Sequence, residues 1–476
     1  MKQLEAITAQ LVDLVWGTPL LVLLIGTHLF LTFRLGFIQR HIGRMIRISV
    51  SKDTEGEGEG DVSHFGALTT ALAATIGTGN IFGVAGAVAI GGPGAVLWMW
   101  LTGVFGIATK YGEALLAVKY RVTTPNGQMA GGPMYVLERG MNARWLGLVF
   151  AGFTALAAFG IGNMIQSNTL TGMVERVFFQ GRFEPIQIIG GAHPFLVSPV
   201  QLGLGIVLTV ATAAVILGGI RWIARVCEFL VPIMAALYVL GCLIILAMRF
   251  PVLPETISLI VTDAFTGTAA VGGFAGATIS KVLQMDIARG LFSNEAGLGS
   301  APIVAAAART KNPVRQALVS ATGTFWDTVV VCALTGLVIV SSGKWTEVSG
   351  KKALAEAAFA DIPYVGNFIL TFGLMTFVFS TILGWSYYGE KAAEYLFGSR
   401  IIRPYRWLWV LAVLLGSVLS TPVVWNFGDI MNGLMAIPNL ISLLVLSGVI
   451  VAETRKHAAE FRGGAPDSAG EPPAES

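Results

Sequence analysis

Charge is scarce in this chain, and so are the side chains that do covalent chemistry. Charged residues make up 12% of its 476 positions, where a soluble domain carries about 25%. That deficit excludes an ordinary soluble protein. The three cysteines, Cys227, Cys242 and Cys332, fall in apolar segments without disulfide or metal-ligand spacing, so small buried residues are expected there. The five histidines, His28, His41, His64, His193 and His457, form no HExxH pattern and sit beside no nucleophile. No Walker A sequence occurs, which excludes ATP as the fuel within this chain and leaves an ion gradient. No catalytic polar cluster is legible, so an enzyme is not expected, and neither is a cofactor. The opening ten residues lack the basic stretch and apolar run of a cleavable signal. The net charge of +3 resides in short loops and carries no nucleic-acid signature.

What is abundant is apolar sequence. Hydrophobic residues reach 54%, mean hydropathy is +0.71, and long apolar runs recur to the end. These runs are continuous, unlike the alternating ten-residue strands of a β-barrel. The expected fold is an all-α polytopic membrane protein embedded in a lipid bilayer. Eleven spans are predicted near residues 12–33, 65–90, 95–118, 145–174, 200–219, 223–248, 257–283, 314–340, 364–396, 407–424 and 427–452. An acidic, glycine-rich patch at 55–61 reads as a mobile linker. Residues 175–199 read as an outside hairpin or loop, and a polar loop follows span 8. The tail from 454, rich in Pro, Ala, Ser and Glu beyond 463, is expected to be cytoplasmic and disordered.

The basic residues orient these spans. Of the 31 Lys and Arg, 23 fall on the side of the loop after span 1 and seven on the other. By the positive-inside rule the N-terminus is outside and the C-terminus cytoplasmic. Two spans are broken. The second carries Thr75-Ile-Gly-Thr-Gly-Asn-Ile-Phe-Gly83, and the seventh carries Val271-Gly-Gly-Phe-Ala-Gly-Ala277. Glycines cost about 1 kcal/mol each in a helix interior, and interrupted helical bonds are tolerated in lipid only when buried in protein or lining a cavity. Setting span 1 aside, the broken spans head two five-helix units about 195 residues apart, the second inverted. Residues 1–64 then form an N-terminal helix and basic loop, 65–250 the first repeat and 251–453 the second. Two inverted repeats, each opening on a broken helix, describe a secondary transporter.

The breaks suggest a small-solute site. At Gly77-Thr-Gly-Asn80, freed N–H groups and the dipole of the downstream half-helix can hold a carboxylate, with Thr78 and Asn80 adding donors. Upstream carbonyls can coordinate a cation. The other reading is close packing of small residues, which does not explain Thr and Asn among the glycines. Free carbonyls at the second break could accept from an amino group, though packing alone would also explain its glycines. Asn163, Gln166, Ser167 and Asn168 cluster in span 4, and Gln166 either takes a substrate ammonium or joins interhelical hydrogen bonds. Ser380 and Thr381 are hard oxygen ligands suited to Na⁺ or back-bonded hydroxyls. Trp385 either walls the pocket or faces the interface. Asp327 in span 8 should pair inside the protein or bind a cation. Lys110 and Glu113, three apart, are expected to pair with each other. Glu228 and Asp429 read as boundary residues. The polar run Ser293–Pro302, with Asn294 and Glu295, suggests a gate, a docked amphipathic helix or a solvated linker.

Four motifs in order are familiar. Thr75-Ile-Gly-Thr-Gly-Asn-Ile81, Gly91-Gly-Pro-Gly-Ala95 with Trp98 and Trp100, Gly131-Gly-Pro-Met-Tyr135 and Phe292-Ser-Asn-Glu-Ala-Gly-Leu-Gly-Ser-Ala-Pro302 together resemble the alanine/glycine:cation symporter family. The resemblance runs over almost the whole chain. It implies a leucine-transporter-like fold with one extra helix, and Na⁺-coupled, sometimes H⁺-coupled, uptake of alanine or glycine across a bacterial inner membrane. It further implies that the carboxylate sits on Thr78, Gly79 and Asn80, and the amino group on Gln166 and the backbone near Phe274 and Gly276. Phe159 and Trp385 would crowd the side chain, and Na⁺ would use carbonyls near Thr75 and Gly77 with Ser380 and Thr381. A symporter of another small solute on the same fold is the alternative.

Overall fold

The computed structural model describes residues 2–51, 58–179, 182–189, 195–266, 293–348, 350–360, 365–419 and 422–462. The second break, with Phe274 and Gly276, lies outside the described residues, as do residues 55–57 of the acidic patch and residues 463–476. The described chain is mostly helical. In order run α1 Lys2–Val15, α2 Thr18–Arg34, α3 Ile42–Ser49, α4 His64–Thr75, α5 Phe82–Gly91, α6 Ala95–Lys119, α7 Arg144–Phe159 and α8 Ile165–Val174. Then come α9 Pro199–Ile216, α10 Ile220–Met248, α11 Leu253–Thr266, α12 Pro313–Thr324, α13 Ala333–Ser341, α14 Lys351–Ala360, α15 Val365–Phe397, α16 Ile402–Val418, α17 Pro422–Val445 and α18 Ser447–Lys456. Two small hairpins, Val122–Thr123 with Met129–Ala130 and Ile186–Ile189 with Phe195–Val197, are antiparallel. The second lies in the segment expected as an outside hairpin or loop.

Among the described residues, eight helical stretches are long and apolar enough to cross a membrane, and the broken pair α4–α5 makes a ninth. α6 is helical for 25 residues, but Lys110, Glu113 and its threonines make it too polar for that criterion. The seventh expected span is described only as far as Thr266. The lipid-facing surface is legible on α9 and α10, where Val207, Val210, Phe229 and Leu240 are exposed. Such a bare apolar surface is stable in hydrocarbon and not in water.

The break itself has the expected form. Ser63 caps α4, its Oγ accepting from Gly66 N at 2.8 Å. α4 ends at Thr75, Gly77 is extended, one tight turn spans Thr78–Asn80, and α5 leaves at 59° to α4. α15 is the long central helix. It packs against α4, α7 and α10, while α6 packs along α2 and α12. Among the described residues four stretches widen into π-turns: Val136–Gly140, Glu175–Phe179, Gly160–Met164 between α7 and α8, and Phe325–Cys332 between α12 and α13. π-turns gather at functional sites, and the last two flank the break.

Several boundaries differ from expectation. The first span begins near residue 3, with a bend at Trp16–Gly17, because the apolar face of α1 continues the span and packs on α17. The stretch after span 8 holds a helix, α14, lying on α5. The last span is α17, ending at Val445, and a turn at Leu446 starts the separate α18. Residues 454–462 are largely helical rather than an unstructured tail. Of the acidic patch, Asp61 is fixed: its N–H donates to Ala307 O, and its carboxylate accepts from Met129 N at 2.8 Å. Residues 293–308 are buried throughout, which rules out a solvated linker.

Candidate functional site

The turn Thr78–Asn80 is held from behind. Asn80 is fully buried; its Oδ1 accepts from Gly77 N at 2.8 Å and its Nδ2 donates to Asp327 Oδ1 at 2.7 Å. Asp327 also accepts from Ser293 Oγ at 3.0 Å and Thr328 Oγ1 at 2.7 Å. One carboxylate thereby joins the first break, the start of the polar strap 293–301 and the widened turn of span 8. A buried charge needs such donors.

On the other side of the turn lies a cavity of about 60 Å³. That is well above the roughly 10–15 Å³ needed to admit a single water. Thr75, Gly77, Thr78 and Gly79 form one wall. Gln166 reaches in from α8: its Oε1 accepts from Thr78 N at 3.3 Å, and its Nε2 donates to Ile161 O at 3.1 Å in the widened turn. Trp385 and Thr381 come from α15, and Glu295 from the strap. The Thr381 hydroxyl donates to Ile76 O at 3.2 Å, placing a side-chain oxygen against the last carbonyl before the break. Trp385 is pressed onto Gly162, where a Cβ would stand 2.1 Å from the Trp385 Cβ.

The cavity thus brings together Thr75, Gly77, Thr78, Gly79, Gln166, Thr381, Trp385 and Glu295. Asn80 and Asp327 stand behind the wall. Ser380 is buried next to Thr381, with its hydroxyl donating to Phe377 O at 2.9 Å. Phe159 does not line the cavity; it packs between Tyr405 and Trp409, with ring centroids 5.2 and 5.3 Å away. Asn294 lies in the strap, its carbonyl accepting from Lys110 Nζ at 2.8 Å. Of the polar cluster in span 4, Asn163 and Asn168 turn to α16, donating to Trp409 O and Leu419 O.

Sequence reasoning missed the cavity's mouth. Lys351 and Lys352 of α14 lie over the Trp425 ring at 4.8 and 5.6 Å, and Asp429 of α17 lines the cavity beside them. Asp429 read only as a boundary residue, and the lysines as a polar loop. Burial holds the Lys352 ammonium below its usual range. The expected Lys110–Glu113 pair is also different. Each grips the strap instead, Lys110 at Asn294 O and Glu113 at Gly297 N and Gly299 N.

Comparison with known proteins fixes the class first. The solved structure of MhsT, in complex with L-phenylalanine, matches with a TM-score of 0.58, covering 83% of this chain and 93% of that one at 16% identity. That likeness makes the fold one of the leucine-transporter type. A profile of the sodium:alanine symporter family matches residues 1–469. The chain belongs to that family. A relative from Methanococcus maripaludis, the sodium/alanine symporter AgcS, is 51% identical over 93% of this chain and 94% of its own. The probable sodium/glutamine symporter GlnT of Bacillus subtilis is 35% identical, covering 97% and 92%. The protein is therefore a multi-pass membrane carrier of amino acids with a coupling cation, and not an enzyme.

Proposed function

We propose that the protein takes up alanine or glycine together with Na⁺ by alternating access. The observation that carries the reading is the cavity at the broken helix: small, closed on one side by Trp385, and walled by helix-end backbone. Its volume suits a six-heavy-atom zwitterion. The carboxylate would lie against Thr78 and Gly79, where the dipole of α5 favours negative charge. Asn80 would act through Gly77 rather than by touching substrate. The amino group would meet Gln166 and backbone of the second break near Phe274 and Gly276. Na⁺ would use carbonyls near Thr75–Gly77 with Thr381 and Ser380, a set of hard oxygens of the kind such a cation prefers. Asp327, Asn294 and Glu295 belong to the gate, Asp327 by tying the break to the strap.

The architecture we infer has eleven spans: an N-terminal helix with its basic loop in 1–64, then inverted five-helix repeats in 65–250 and 251–453. The N-terminus is outside and the C-terminus cytoplasmic, in a bacterial inner membrane. Transport is coupled when loaded and empty carriers rearrange readily and half-loaded ones do not. H⁺ coupling, or another small solute, is the alternative, and the similarity to a probable glutamine carrier favours keeping a larger neutral amino acid in view. Binding of alanine, glycine and glutamine, measured with and without Na⁺, tests the proposal. Tight Na⁺-dependent binding of alanine or glycine supports it; equal binding without Na⁺, or preference for glutamine, overturns it.

A further inference from the structure

We propose that Glu113, in the middle of α6, is a positioning residue for the substrate cavity. Its buried carboxylate holds the strap 293–301 in the one shape that carries Glu295 to the cavity wall. The inference rests on the cavity reading above.

The strap has an unusual backbone. Glu295, Gly297 and Gly299 have φ of 55°, 88° and 86°. Two of the three are glycines, for which left-handed backbone costs little. Glu295 has a Cβ and occupies that region only when its surroundings hold it there. Within the strap, Leu298 N donates to Glu295 O at 3.2 Å. Ser300 Oγ donates to Glu295 Oε2, and Ala296 N to Asn294 Oδ1. Further bonds come from outside.

Glu113 provides two of them. Its Oε1 accepts from Gly297 N and Gly299 N, both at 3.1 Å, and from Asn439 Nδ2 at 2.6 Å. Asn439 Nδ2 also donates to Gly297 O at 2.9 Å. Backbone N–H groups converging from a left-handed stretch make an anion nest, here filled by the protein's own carboxylate. One turn away on α6, Lys110 Nζ donates to Asn294 O at 2.8 Å. Both side chains are only 2% exposed. Opposite charges on one helix face, each hydrogen-bonded to the strap on either side of Glu295, fix its position from two directions. Bonds to an ionised group are roughly twice as strong as neutral ones. A shifted strap also meets resistance, since a Cβ at Gly299 would stand 2.8 Å from Phe150 and Pro133.

On the far side, Glu295 lines the cavity beside Trp385. A carboxylate in that wall gives a substrate ammonium an acceptor. Glu113 touches no substrate; it decides where that acceptor stands.

The test is a double-mutant cycle on alanine uptake in proteoliposomes with wild type, Glu113→Gln, Glu295→Gln and both together. Glu113→Gln keeps an oxygen for the N–H groups. Its new amide takes the place of Oε2, an atom with no hydrogen-bond partner, so it removes charge and not shape. We expect Glu113→Gln to raise the alanine KM at least tenfold, with the Na⁺ half-saturation changed less than twofold. Glu295→Gln should raise it further, and the double variant should match Glu295→Gln alone within twofold. Should Glu113→Gln fail to fold, Asn439→Ser supplies the same readout with a smaller rise of three- to tenfold. Losses that multiply in the double variant, or an unchanged alanine KM in Glu113→Gln, overturn the positioning role. An unchanged KM in Glu295→Gln instead overturns the place of Glu295 in the cavity.

Discussion

Replacing Asn80 with alanine should impair alanine binding although the Asn80 side chain does not line the cavity. The amide bridges two groups: it accepts from Gly77 N at 2.8 Å and donates to Asp327 Oδ1 at 2.7 Å. The first is a neutral hydrogen bond, worth about 0.5–1.5 kcal/mol, and the second goes to a charged group, worth about 1.5–3 kcal/mol. Their joint loss is about 2–4.5 kcal/mol, before counting the N–H of Gly77 left buried without an acceptor. That N–H belongs to the residue at the break, so the loss is felt where the carboxylate and cation meet. The substitution also leaves Asp327 with two of its three side-chain donors, Ser293 and Thr328. At about 1.4 kcal/mol per factor of ten, half of the loss expressed in binding weakens affinity by roughly 5–40-fold. The remainder should lower the melting temperature. Titration of the purified protein with alanine in saturating Na⁺, beside a thermal melt in detergent, reads both. An Asn80→Ala protein with wild-type affinity and wild-type melting would refute the reasoning.

Other outcomes follow from the same geometry. Gly162→Ala places a Cβ 2.1 Å from the Trp385 Cβ; overpacking of this kind costs about 1–3 kcal/mol or more, and uptake should fall steeply when measured at matched protein levels. Trp385→Leu should enlarge the cavity and relax selection, since each methylene in an apolar pocket is worth about 1–3 kcal/mol; competition by glutamine against labelled alanine should strengthen. At the end of α6, the Lys119 ammonium hydrogen-bonds Glu453 of α18 and holds that carboxyl below its usual range. Because the folded value lies under the unfolded one, the stabilisation is present above a pH of about 4.3 and fades as pH drops through the lowered value. Lys119→Ala should therefore melt below wild type at neutral pH, and the two melting curves should converge in acid.

How much was legible varied with the range of the interactions. The first break was readable because Thr78 and Asn80 stand among glycines, an arrangement that packing alone does not call for. Trp385 and Thr381 were readable as a polar and bulky interruption of an apolar helix. What local pattern could not supply was direction. Asn80 and Gln166 look alike as buried amides, yet one faces away from the cavity and one into it: Asn80 is drawn to Asp327, and Gln166 is held by Ile161 O in the widened turn Gly160–Met164. Lys110 and Glu113 have the spacing of an ion pair, but their partners are strap backbone groups and the Asn439 amide, all more than 180 residues along the chain. The strap reads as polar, which left a gate, a docked amphipathic helix and a solvated linker all open; its burial depends on those distant partners. Lys351 and Lys352 gained a role only when α14 folded over α5 and onto Trp425.

The most direct measurement is accumulation of labelled alanine in proteoliposomes under an inward Na⁺ gradient and under none. Concentrative uptake that needs the gradient, with Thr381→Ala raising the Na⁺ concentration required, is the result expected of a cation site at Ile76 and Thr381. Accumulation of equal size without the gradient would contradict Na⁺-coupled transport through this cavity.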